Sequence, residues 1–178
     1  MATPPDFTSG AVLTAAQMNS VGLWLVKTQT IGNAVSSVTV TGAFSADYDN
    51  YIVTVSGGAN SIAGNALDLK LGSTVTGYYF SMVYTSWNAV VTAAGQANVG
   101  RIDYVGHAGT QGLNAFMEIN SPFLAKNTTV RASIQNSTNY GGTTNGFLNN
   151  TTSYTSFIIA TTGGTMTGGT IRVYGMRN

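Results

Sequence analysis

Ala66-Leu67-Asp68-Leu69-Lys70-Leu71 is the stretch that decides the fold. Its three leucines recur with period two, and Asp68 and Lys70 fill the alternate positions. That is the pattern of a strand with one face in a core and the other in water; a helix would space its apolar residues three and four apart. The same period spreads outward in both directions. It is seen over residues 36–41 and 50–55 on one side, and over 78–84, 99–105, 113–120, 128–135, 154–160 and 170–176 on the other. Glycine-rich breaks such as Gly57-Gly58, Gly163-Gly164 and Gly168-Gly169 punctuate these runs, and 22 glycines in all supply turn positions. No helical pattern lies between strands. The expected fold is therefore all-β, an antiparallel β-sandwich of jelly-roll-like character, with residues 31–178 as its body.

Two stretches interrupt the period. Residues 86–96 are rich in alanine and fit a helical turn or a loop. Residues 136–153 consist mainly of Asn, Thr, Ser and Gly, with Tyr140, Phe147 and Leu148 as the large apolar side chains. Loops of that length in compact domains usually carry function, so this one is expected to be exposed.

The first 30 residues read differently, as an arm with a short helix over 14–26. Thr14 is suited to cap it, Gln17 completes a capping box, and Leu13 with Met18 has the spacing of a hydrophobic staple. Met18, Val21 and Leu25 follow at roughly helical spacing, and residues 27–33 connect to the first strand of the body.

Composition narrows the function. Charged residues make up 7% of the 178-residue chain, against about 25% in an ordinary soluble domain. Lys27, Lys70, Arg101, Lys126, Arg131, Arg172 and Arg177 are scattered and the net charge is +1. Binding to phosphate backbones needs clustered cations, so nucleic acid is not an expected partner. Sparse charge suits surfaces that are buried between copies. With no cysteine, disulfides, thiolate metal sites and thiol nucleophiles are excluded. The first residues have neither the basic nor the apolar region of a cleaved leader. No apolar run approaches the roughly 20 residues of a membrane span, and no insertion is expected.

Residues suited to catalysis are few. His107 is the single histidine and is read as a loop residue without a partner. Nucleophile elbows, P-loops and zinc-type spacings are missing, so no enzyme activity, cofactor or metal is expected. Asp47 and Asp49 fit a calcium pair or a polar turn, and the turn reading ranks first. Tyr79, Trp87, Tyr140 and Phe147 are the candidates for contact with a receptor or glycan, the last two from the long loop. Residues Asn127, Asn136 and Asn150 begin sequons, which matter only in a glycosylating host.

Phe7-Thr8-Ser9-Gly10-Ala11-Val12-Leu13-Thr14-Ala15-Ala16-Gln17-Met18-Asn19 resembles the F-x-x-G-x-V-L-T-A-A-x-M/L-N opening of many tailed-bacteriophage virion proteins. Phe44-Ser45-Ala46-Asp47-Tyr48-Asp49-Asn50-Tyr51 and Gly169-Thr170-Ile171-Arg172-Val173-Tyr174-Gly175 are similar to segments of small phage structural proteins. The resemblance implies a virion location and a non-enzymatic structural role. It also implies a short homotrimeric appendage of tail-fibre type, made in the host cytoplasm. Phe7, Val12, Leu13, Met18, Val21 and Leu25 would attach it to other virion proteins, and distal loops would meet the host surface. A capsid decoration or cement protein is the alternative, and a carbohydrate-binding module the second alternative.

Overall fold

A computed structural model describes residues 22–136 and 140–176, together with Gly10 and Val12. The described chain is built from strands: β1 (Leu23–Thr30), β2 (Ser37–Val40), β3 (Asn50–Gly57), β4 (Ala59–Asn60), β5 (Asn65–Leu71), β6 (Tyr78–Ser86), β7 (Val91–Val99), β8 (Ile102–Gly109), β9 (Gly112–Asn120), β10 (Thr128–Gln135), β11 (Tyr140–Leu148), β12 (Phe157–Thr161), β13 (Met166–Thr167) and β14 (Thr170–Met176). Among the described residues there is no helix, and every strand pairing is antiparallel.

Strand β9 is the hinge of the architecture. One edge pairs with β3 along its length. The other edge is divided, with Gly112–Asn114 paired to β8 and Phe116–Asn120 paired to β10. A long sheet therefore runs β1-β14-β3-β9-β10-β11-β6-β7, and a second layer, β2-β12-β5-β8, departs from β9 at its start. The two layers share one core. Leu67, Leu69 and Leu71 of β5 and Phe157 and Ile159 of β12 join Tyr51 and Val53 of β3, Met117 and Ile119 of β9, and Ile171 and Val173 of β14. Each of those leucines, fully buried, contributes about 1.5–3 kcal/mol. The all-β sandwich expected from the period-two runs is what forms.

The two body segments singled out for their resemblance meet in space. Phe44 packs edge-on against Tyr51, with ring centroids 4.8 Å apart, and stacks on Phe157 at 5.5 Å. The Tyr51 hydroxyl donates to the Ser45 carbonyl at 3.0 Å and accepts from the Ser45 amide at 2.8 Å, pinning the corner before β3. Tyr48 lies over Gly175 of β14, where a Cβ would collide with its ring.

Several expectations are overturned. Of the helix placed over 14–26, residues 14–21 lie outside the described residues. Residues Leu23–Val26 are strand, and the connector that follows continues as β1 to Thr30. The reason is tertiary. Leu23 and Leu25 alternate with Trp24 and Val26, and pairing with β14 satisfies a row of backbone groups that would otherwise form a free edge. Residues 86–96 are neither helical turn nor simple loop but the hairpin between β6 and β7 and most of β7 itself. Half of the long loop expected over 136–153 is β11, Tyr140–Leu148, paired on both sides. Its small residues are what a strand between bulky neighbours requires: a Cβ on Gly142 would overlap Tyr84 and the Val83 carbonyl. His107 is no loop residue; it is buried in β8. Asp68 does not face water, since both faces of β5 are covered at that point.

Candidate functional site

Three of the four aromatic candidates converge on the outward face of the long sheet. Register places Tyr79 opposite Phe147, and their rings stack nearly parallel, 4.9 Å apart with 7° between planes. At the other end of the same two strands, Trp87 follows β6 and lays its ring against Gly141. Tyr140 is the exception. It packs with Tyr84, centroids 4.6 Å apart, on the side of β6 that carries Tyr78, Phe80 and Met82, and burial raises its phenol pKa.

Between these ends β11 turns Gly141, Thr143 and Asn145 outward, because side chains alternate along a strand and Thr144 and Leu148 are buried. Gly141 leaves a gap at one end, and depressions along this face of β11 form a shallow trough. Three depressions lie along it. One of about 550 Å³ is lined by Tyr79, Ser81, Thr129, Asn145 and Phe147. One of about 200 Å³ is bounded by Phe116, Glu118, Arg131 and Thr143. One of about 530 Å³ is bounded by Thr85, Trp87, Ser133, Gln135 and Gly141. Among the described residues, the side chains of Asn145, Thr143 and Ser133 take no protein hydrogen-bond partner. Arg131 and Glu118 stand opposite one another in register, so the charges at mid-trough cancel.

The attachment candidates divide. Phe7, Leu13, Met18 and Val21 lie outside the described residues. Val12 is exposed. Leu25 is exposed on the outward face of β1, beside exposed Leu23 and exposed Met176 of β14. These three apolar side chains form a patch at the sheet edge where the N-terminal segment joins the body.

A second cluster, legible in the sequence only as scattered charges, forms at a bulge between β5 and β8. Tyr104 there has φ 60°, and the distortion brings Asp68, Arg101 and Asp103 together. Arg101 Nε donates to Asp103 Oδ1 at 2.6 Å and lies 3.2 Å from Asp68 Oδ2. The Asp68 carboxyl is pushed up to about 7 by burial and by the neighbouring Asp103 charge, with Arg101 opposing. His107 is shifted the other way, below its usual range, because burial disfavours the imidazolium. Asp47 accepts from the Ser45 hydroxyl at 2.9 Å, the polar turn that ranked first. Among the described residues, no group of three or more His, Cys, Asp or Glu is placed to hold a metal ion. No protein-family model matches the chain, and no curated protein matches it either.

Proposed function

We propose that the chain is a non-enzymatic structural protein of a bacteriophage virion: a short, trimeric, tail-fibre-type appendage anchored through its N-terminal segment. The observation that carries the reading is the exposed apolar patch of Leu23, Leu25 and Met176. It lies where the chain enters the body, directly after the segment whose sequence resembles phage virion proteins. Burying a Leu side chain contributes about 1.5–3 kcal/mol, and three copies of the patch would bind with avidity.

Association of copies has its own support in β7. It is an outer strand of nine residues, exposed on most of both faces and free of charge and proline. β7 does carry a bulge near its end, opposite Tyr78–Phe80, but the other outer strands are blunted further. β1 carries a bulge beside Lys27, and β2 is only four residues long.

The test is truncation of residues 1–21, with Leu23→Ser/Leu25→Ser as a second variant. Both are expected to lose incorporation into particles while the purified body keeps its melting temperature within a few degrees. Normal incorporation of either variant counts against the anchor. Copy number per particle separates the two structural roles. A count matching the capsid lattice rather than the tail would assign the protein to head decoration.

A further inference from the structure

We infer that the trough along β11 binds a linear, uncharged oligosaccharide laid across the strands' outward side chains. The inference deepens the appendage reading by naming what the exposed sheet would grip on a host surface, and it rests on that reading only for the source of the glycan. The trough runs from the Tyr79–Phe147 pair to Trp87. From Gly141 to Phe147 that is a path of roughly 20 Å at about 3.3 Å per residue, long enough for several sugar units and too long for one.

Its chemistry fits a sugar chain. A pyranose offers a C–H face that packs on an aromatic ring, and hydroxyls that both donate and accept. Aromatic rings stand at the two ends of the trough. Between them, Asn145 supplies an amide donor and acceptor, and Ser81, Thr129, Thr143 and Ser133 supply hydroxyls. Among the described residues, the side chains of Asn145, Thr143 and Ser133 have no partner, so a ligand can engage them without breaking a bond there. The backbone groups of β11 are committed to β10 and β6. Recognition must therefore come from side chains, which disfavours an added peptide strand. The mid-trough charges, Arg131 and Glu118, are of opposite sign and cancel, which favours a neutral glycan over a sialylated or uronic one.

The experiment is calorimetry of the full-length protein against neutral gluco-, galacto- and manno-oligosaccharides of one to six units, with sialylated and uronic chains in parallel. At least one neutral series is expected to bind saturably, with affinity rising with length to three or more units. Trp87→Ala and Asn145→Ala are each expected to weaken binding about tenfold or more. Both side chains are exposed, so melting temperatures should hold. Lys126→Ala, outside the trough, should leave binding unchanged. Absence of saturable binding to every neutral series, tighter binding of an acidic chain, or indifference to both trough variants would each overturn the inference. Particle incorporation of Trp87→Ala is measured alongside. If the truncation of residues 1–21 abolishes incorporation while no neutral glycan binds, the trough inference fails and the appendage reading stands. If neutral glycans bind as expected while the truncated protein still enters particles, the appendage reading fails and the trough inference stands.

Discussion

Asp68 illustrates how far a residue can depart from its place in a sequence pattern. By alternation it belongs to the wet face of β5, yet it is 1% exposed, and Arg101 directs its Nε–H at Asp103 instead. The cost falls on the charged form. A carboxyl held near pH 7 in the fold, against an ordinary 3.8, favours folding while it is neutral. That contribution is complete below about pH 4 and is lost as pH rises through about 7. Urea unfolding at pH 5 and pH 8 should therefore show Asp68→Asn more stable than the parent at the higher pH, by a few kcal/mol at most. The gap should shrink at pH 5. Equal pH dependence in the two proteins would mean that the carboxyl is solvated after all.

At the scale of the element, β11 is the strand that composition hides. Its glycines and threonines look like loop because their role is to be small between larger neighbours, a property of β6 and β10 rather than of β11 itself. Gly142 makes the sharpest test, since a Cβ there would meet the Val83 carbonyl and Tyr84. Gly142→Ala is expected to destabilise the fold by about 1–3 kcal/mol in chemical denaturation, as overpacking does. Thr143→Ala, on the exposed side of the same strand, should change stability by less than about 0.5 kcal/mol. A harmless Gly142→Ala would show that β11 does not sit tightly against β6.

For the whole molecule, the question is what so few charges allow when copies meet. With 7% of residues charged, repulsion between copies is weak, and β7 is an outer strand without a charged residue among the described strands. A trimeric mass by light scattering at micromolar concentration is expected for the parent. Ala94→Lys, which sets a charge on that edge in each copy, should shift the mass toward the monomer with little change in melting temperature. A parent that is monomeric under these conditions would remove the trimer.

The fold class follows from the order of residues alone, because side-chain alternation is local and survives in any antiparallel arrangement. The runs at 66–71, 128–135 and 170–176 read as strands and are strands. The same order also marked Tyr79 and Trp87 as candidates for exposure, and Phe147 as a contact residue, though on a loop that proves to be strand. Features that depend on a neighbour distant in the chain emerge only on folding. Leu23–Val26 became strand because β14 offers it a ladder. His107 and Asp68 became buried because both faces of their strands are covered. Tyr140, drawn to Tyr84 on the opposite side of β11, left the group it was placed with. The trough, finally, arises from the register of β11 against β6 and β10, which brings Phe147 to Tyr79 and Gly141 to Trp87. Alternation along one strand fixes which face each side chain takes, but not which strand lies beside it or at which residue the two meet.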